Sequence, residues 1–373
     1  MNVDLSYWEK KHFWNNCDIA IIGSGITGLT ASIFIKRLNP SARVVIIERG
    51  ALPAGASTRN AGFACFGSAG EILDDLKSQS EAAVFNLVKR RFAGLVALRD
   101  LLGDTQIDYK QCGGFEIFTD DEMEHYEHVL GSLSYLNAEM VQAIGRQCFW
   151  DESSRVKDFG LSGITSMIVN RAEGIIDTGL MMRSLLHKAR GEGVEIYNGV
   201  EVLSVNPAGY ISTSLGELKA GFTVVATNGL AKHLLPDLDV KPCRGQVLIT
   251  KPIPGLNFEA CFHHDRGYNY FRTVDGRILL GGGRQTNPSA EETDEMKTTV
   301  EIQEYLDKLL ANYILKGQSY EIDMRWSGIM GMGDSKQVIV EQLSPKLGVA
   351  VRFGGMGVAL GTQIGKEVAE WTR

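Results

Sequence analysis

The chain has 373 residues, 44% hydrophobic and 22% charged, proportions that exclude a mainly disordered protein and, at roughly 100–200 residues per domain, suit two domains. A net charge of −7 with no basic block excludes the counterion-releasing stripe of a nucleic-acid binder, and no apolar run reaches the length of a bilayer span. The 42 glycines favour tight turns and close backbone approach to a ligand.

The N-terminus, with Asp4, Glu9 and Lys10, lacks the layout of a signal peptide, so a cytosolic protein without nucleic-acid partners is expected. Cys17, Cys65, Cys112, Cys148, Cys243 and Cys261 form no C-x-x-C pair. This predicts buried free thiols in a reducing compartment, with no disulfide framework and no metal site.

Asp18–Ile22 is a short apolar run suited to a strand buried on both faces. Gly23-Ser24-Gly25-Ile26-Thr27-Gly28 follows at once, and Leu29–Leu38 reads as a helix stopped by Pro40. Ala42–Ile47 is a second strand, ending in Glu48 and Arg49. In this strand–turn–helix setting Gly23 allows the tight turn, Gly25 lets the backbone approach a pyrophosphate, and Gly28 lets helix and strand pack closely. The helix N-terminus supplies amides and partial positive charge for a diphosphate. Glu48, 20 residues after Gly28, can accept hydrogen bonds from ribose hydroxyls and would repel a 2′-phosphate. A dinucleotide site is predicted.

The motif alone does not choose between NAD and FAD. The next segment, Gly55-Ala56-Ser57-Thr58-Arg59-Asn60-Ala61-Gly62, is a second glycine- and hydroxyl-rich loop where NAD enzymes usually continue with another helix and strand. This order resembles the D-amino-acid-oxidase-like family of FAD-dependent oxidoreductases, in which the loop runs along the pyrophosphate and flavin ring. The resemblance continues through Gly174–Leu180 and its following helix, Gly193–Tyr197, Glu201–Val205, Phe222–Gly229, Arg244-Gly245-Gln246, Tyr268–Gly283, Trp326-Ser327-Gly328 with Asp334, and Gly354–Gly365. It implies that Val202 lies against the adenine, and that Ala226, Thr227, Asn228, Gly229 and Gly328 pass close to the cofactor. It also implies that Gly354, Gly355, Met356, Gly357, Val358 and Ala359 form a closing loop and helix N-terminus facing the flavin's N1–O2 edge. The expected fold is α/β: a Rossmann-like FAD-binding domain interleaved with an α+β substrate domain on a mixed or antiparallel sheet. The FAD domain is drawn as 1–75, 150–228 and 325–373, and the substrate domain as 76–149 and 229–324.

Within the second domain, Thr119-Asp120-Asp121-Glu122 is a capping-box helix start, and His125 and His128 beyond it read as a solvated face. Glu291–Glu295 reads as an exposed acidic loop. No Ser-His-Asp or Cys-His set stands out, as suits flavin chemistry, where the protein contributes orientation and water exclusion. Tyr268, Tyr270 and Arg272 alternate along a strand and so share a face that could cage a substrate and grip a carboxylate.

Three departures from the family pattern bear on the substrate. The usual carboxylate-binding arginine after "W-x-G" is Met330, a second basic position falls at Gly355 or Ala359, and a lysine used for oxygen activation falls at Leu279. Arg272, Arg352 or Arg59 is left as anchor, or the substrate is another amine. The expected activity is oxidation of an amine or amino-acid C–N bond with non-covalent FAD and O2 or a carrier as electron acceptor. The alternatives are a 2-hydroxy-acid or polyol-phosphate dehydrogenase of the same family and a flavin-binding subunit without its own turnover.

Overall fold

The structure is a computed structural model that describes residues 4–256 and 258–373. Its first sheet starts with strand β1 (Cys17–Ile22), helix α2 (Ile26–Leu38, after the short α1, Tyr7–His12) and β2 (Val44–Glu48). β1 pairs in parallel with β2, Ile19 opposite Val44 and Ile22 opposite Ile47. The remaining members come from later in the chain: β8 (Glu195–Asn198), β9 (Val202–Val205), β10 (Tyr210–Thr213), β11 (Gly216–Val225), β17 (Ile339–Ser344) and β18 (Leu347–Val351). Their order is β17-β18-β11-β1-β2-β8, with β9 and β10 extending from β11 as an antiparallel meander. The parallel core is β18, β11, β1, β2 and β8.

Side-chain alternation assigns the two faces of this sheet. Ile19, Ile21, Val44 and Ile46 pack with α2, α4 (Glu81–Leu102), α6 (Thr178–Gly191) and α8 (Gly357–Glu370). Ala20, Val45 and Ile47 face the opposite side, against Trp14 and the β9–β11 meander. Both faces are covered, which is why these strands read as unbroken apolar runs. Ile46 is fully buried, which contributes about 1.5–3 kcal/mol relative to exposure.

The second sheet runs β16-β12-β15-β14-β13-β4-β6-β5. Its strands are β4 (Gly114–Thr119), β5 (Phe149–Asp151), β6 (Ile164–Asn170), β12 (Lys241–Thr250), β13 (Cys261–His264), β14 (Asn269–Val274), β15 (Arg277–Gly282) and β16 (Ile322–Met332). Only the β13–β4 pair is parallel, so the sheet is mixed. Phe115, Ile117, Leu248, Phe262, Phe271 and Leu280 form one face and pack on α7 (Val300–Leu309). The intervening residues form the opposite face. A two-stranded ribbon, β3 (Phe63–Ala64) with β7 (Gly174–Ile175), and helices α3 (Ala69–Leu76) and α5 (Met123–Ile144) complete the architecture.

Several expectations are corrected here. β6 and β16 belong to the second sheet, so dividing the domains at 150 and 325 cuts through that sheet. Glu291 is not on an exposed loop; its carboxylate is buried and bound by Arg244 Nη2 at 2.7 Å and Nε at 2.9 Å. The capping box at Thr119 is present and leads into α5, where His128 is exposed but His125 is half-buried against the Phe118 ring. Five cysteines are buried and Cys112 is half-buried. No helix among the described residues is long and apolar enough to cross a membrane.

Candidate functional site

Four loops remote in sequence meet at the N-terminus of α2. Gly23 adopts φ 101°, and a Cβ there would lie 3.0 Å from the Ala226 carbonyl oxygen. A Cβ on Gly28 would lie 2.1 Å from the Gly23 carbonyl oxygen, so only glycine allows strand and helix this close. Gly25 is the N-cap and offers no side-chain cap; instead the Ile26 amide donates to Ser57 Oγ at 3.1 Å. The serine oxygen thus stands where a phosphate oxygen would accept. A Cβ on Gly25 would come within 2.9 Å of that oxygen, so the cradle is open only because residue 25 is glycine.

Glu48, at the end of β2, accepts from the Ser24 amide (3.0 Å) and Ser24 Oγ (2.7 Å) on one oxygen and from the Gly50 amide (2.9 Å) on the other. Ser24 is a residue that sequence reasoning passed over; its place inside the glycine motif is the signal that could have found it. Arg49 points outward, half-exposed, with Glu201 at 3.7 Å. Val202 is half-buried at the start of β9.

The loop 55–62 is held by its own polar groups. Asn60 Oδ1 accepts from the Gly62 amide (2.9 Å) and Thr178 Oγ1 (2.8 Å), while Thr58 Oγ1 donates to the Pro53 carbonyl (2.8 Å). Arg59 Nη1 donates to the Ser327 carbonyl at 2.9 Å, and Trp326 Nε1 donates to the Arg59 carbonyl at 3.0 Å. The loop is thereby fastened to β16. A Cβ on Gly328 would lie 3.1 Å from Arg59 Cβ.

The closing loop docks on the same point. Asn228, at φ 47°, accepts through Oδ1 from the amides of Arg352 (3.1 Å) and Phe353 (3.3 Å). Gly354 and Gly355 have φ 57° and 84°, and α8 starts at Gly357. Gly361 and Gly365 let α8 lie on α2: Cβ atoms there would meet Ile26 Cγ2 at 2.6 Å and Thr30 Oγ1 at 2.1 Å. Two helix N-termini therefore converge, as a bound dinucleotide with an anionic diphosphate would require. Thr227 Oγ1 and Ser327 Oγ, both beside this cleft, are buried without a hydrogen-bond partner among the described residues. A glycine cradle and orphaned hydroxyls fit a polar cofactor lying across the loops. A surface groove of about 1670 Å³ shares only Thr58 and Arg59 with the residues assigned to the cofactor.

Facing these loops, the register of the second sheet lays out one row of side chains. Trp326 stands opposite Val247, Val247 opposite Gly281, Gly281 opposite Tyr270, Tyr270 opposite His263, and His263 opposite Glu116. Phe63, continuing from the cofactor loop, packs edge-on against both His263 (5.2 Å) and Tyr270 (5.6 Å). A Cβ on Gly281 would lie 2.5 Å from the Tyr270 ring. Burial pushes the Tyr270 phenol up to about 12, so it is neutral. Met330 is half-buried between the two halves, its sulfur 3.7 Å from where a Cβ on Gly355 would be and its methyl 3.2 Å from one on Gly245.

The arginines do not do what alternation predicts. Arg272 is on the face expected, but its Nη1 donates to the carbonyls of Ile176 (2.7 Å), Gly62 (2.8 Å) and Ala61 (3.3 Å). It holds the cofactor loop through Nη1, while Nε donates to the Thr273 carbonyl at 3.1 Å. Arg352 donates through Nε to the Gln337 carbonyl at 2.8 Å and pairs with Asp239 through Nη1. Tyr268 lies before β14 begins, 44% exposed, with the Arg284 guanidinium 5.9 Å from its ring centre.

Buried acids were missed from the sequence. Glu116, 2% exposed, accepts from the Gly70 amide at 2.8 Å on one oxygen and has no partner among the described residues on the other. Burial raises its carboxyl to about 7. Glu71 is bound by Arg91 at 3.0 Å, and Glu173 is fully buried. An acid inside the apolar run Gly-Phe-Glu-Ile-Phe of β4 was the available signal.

A family profile described as "FAD dependent oxidoreductase" (DAO) matches residues 18–371. The chain is 24% identical to the gamma-glutamylputrescine oxidoreductase of Escherichia coli (strain K12), over 96% of this chain and 84% of the relative. Among solved structures, it is similar to glycine oxidase from Geobacillus kaustophilus, at 19% identity and a TM-score of 0.77, covering 96% and 95% of the two chains. L-proline dehydrogenase from P. horikoshii gives 18% identity and a TM-score of 0.76, covering 96% and 93%.

Proposed function

The chain belongs to the DAO family of FAD dependent oxidoreductases, and on that premise we propose that it oxidises the C–N bond of an amine recognised as a cation rather than as a carboxylate. One observation carries this reading. The three arginines available as carboxylate anchors are bound to protein oxygens, while Glu116, on the same sheet row as Tyr270, has a buried carboxylate oxygen without a partner. A carboxylate entering this site would find Arg59, Arg272 and Arg352 already engaged by protein oxygens, and an unmatched buried charge costs several kcal/mol. An ammonium group would pair with Glu116. The named relative acts on a putrescine derivative, which is consistent with a substrate carrying a second amine.

Bound FAD supplies the hydride acceptor, at N5 of its ring. Gly23, Gly25, Gly28, Glu48, Ser57 and the closing loop Gly354–Ala359 would hold it, and the attachment is non-covalent. Phe63, Tyr270 and Trp326 wall the space over the loop and exclude water. Met330 gives that space an apolar side where a guanidinium would otherwise stand. Electrons leave to O2 or to a carrier, and the protein works in the cytosol.

The test is anaerobic flavin reduction with the unmodified protein and with Glu116→Gln. The variant should raise KM for a diamine derivative at least about tenfold, since a charge-assisted hydrogen bond is worth about 1.5–3 kcal/mol. Equal KM values would remove Glu116 from the site.

A further inference from the structure

Six cysteines scattered through the chain give no metal-ligand spacing, yet the fold gathers two of them with a histidine. Cys65 follows β3 and Cys261 opens β13, and their sulfurs lie 3.7 Å apart. A ring nitrogen of His263 joins them, all three ligand atoms lying within 4.8 Å of one another. Both cysteines are buried, and the histidine side chain is 14% exposed.

Glu173 borders this trio on the histidine side. It is fully buried, and its Oε1 is fixed by the amides of Phe66 (2.7 Å) and Gly67 (2.8 Å). Its Oε2 and His263 Nε2 have no hydrogen-bond partners among the described residues and stand 3.8 Å apart. A Cβ on Gly114 would lie 2.1 Å from that Oε2, so glycine leaves room for the carboxylate to sit there.

We propose that Cys65, Cys261, His263 and Glu173 form a closed tetrahedral site for one zinc ion that pins β3, the β6–β7 connection and β13 together. The separation of the two sulfurs agrees with the metal's requirements. Zinc–sulfur bonds of about 2.3 Å at a tetrahedral angle separate two sulfurs by about 3.8 Å. A disulfide would need about 2.05 Å. The Phe66 and Gly67 amides are the outer hydrogen bonds that orient a ligating carboxylate. Charge balance also points this way. Two thiolates, a carboxylate and a divalent ion leave one negative charge, and directly across the register from Cys261 is Arg272, a buried cation bound only to carbonyl groups. The ion would be structural, with no open position for substrate.

The test uses the FAD-loaded full chain, purified without a chelating tag from zinc-supplemented medium. Elemental analysis should find zinc equimolar with FAD. Zinc should be lost in Cys65→Ala and Cys261→Ala but retained in Cys148→Ala, with FAD content and circular dichroism recording whether each variant folds. Cobalt-loaded unmodified protein supplies a readout independent of any variant, with strong tetrahedral d–d bands to the red of the flavin absorption. Protein that takes up neither zinc nor cobalt in excess metal overturns the proposal. So does full zinc occupancy in a folded Cys65→Ala or Cys261→Ala protein, or a weak octahedral cobalt spectrum.

Discussion

Arg272 is conspicuous in the sequence as a charge alternating with tyrosines, but its geometry makes it a brace. Its guanidinium joins carbonyls of residues 61, 62 and 176, so it ties the cofactor loop to β14. Arg272→Ala strands those carbonyls, and hydrogen bonds to a charged group are worth about 1.5–3 kcal/mol each. The variant should lower the thermal midpoint and FAD retention, measured by calorimetry and gel filtration, more than it alters KM. A selective rise in KM with unchanged stability would instead place the guanidinium on the substrate. Glu48 is the opposite case: its distance along the chain predicts a ribose-binding role, and its carboxylate stands beside the glycine turn. Glu48→Ala should weaken FAD at least about tenfold, by loss of ribose bonds and of the anchor for Ser24. Apoprotein titrated with FAD and followed by fluorescence quenching reads this directly, and unchanged affinity would separate Glu48 from the ribose.

The elements of the first sheet were legible because local rules decide them. A strand buried on both faces, a glycine turn and a helix follow one another within Asp18–Leu38, and each signal is contained in a few neighbouring residues. What joins α2 to α8 is not local. Gly361 and Gly365 permit the contact, and Gly365→Ala drives a Cβ to 2.1 Å from Thr30 Oγ1. Overpacking of this kind costs about 1–3 kcal/mol. The variant should melt earlier and release FAD faster, because both helix N-termini at the cleft move apart; an unchanged melting profile would show that the helices can shift at no cost. The ion pair between Arg244 of β12 and Glu291 escaped the sequence for the same reason, since Glu291 reads as one of a run of surface acids until Arg244 is seen across from it. Burial alone would raise the Glu291 carboxyl, but hydrogen bonds from Arg244 and Gln246 outweigh it and hold the group below its ordinary 4.5. A depressed folded value means stabilisation present above pH 4.5 and lost as pH falls through the folded value. Glu291→Gln should therefore be less stable near neutrality and show a shallower loss of stability in acid. Parallel acid profiles for the two proteins would refute the linkage.

At the scale of the whole molecule, function arises where two sheets from interleaved segments face each other. The glycine loops were readable as motifs, but the row Trp326–Val247–Gly281–Tyr270–His263–Glu116 draws on six strands and exists only after they register. The same holds for the domain ranges, which no local composition marks and which the strand order moves. Acid precipitation should leave all yellow colour in the supernatant, and flavin in the pellet would contradict non-covalent binding.

The central claim, an amine oxidoreductase that recognises a cation, is tested most directly by anaerobic bleaching of the bound flavin. The panel comprises N-acylated diamines, secondary amines, glycine, alanine and 2-hydroxy acids. The account predicts rapid bleaching by the N-acylated diamines or secondary amines, slow bleaching by glycine and alanine, and none by the hydroxy acids. Rapid bleaching by a hydroxy acid or by glycine, or none by any amine, would contradict it.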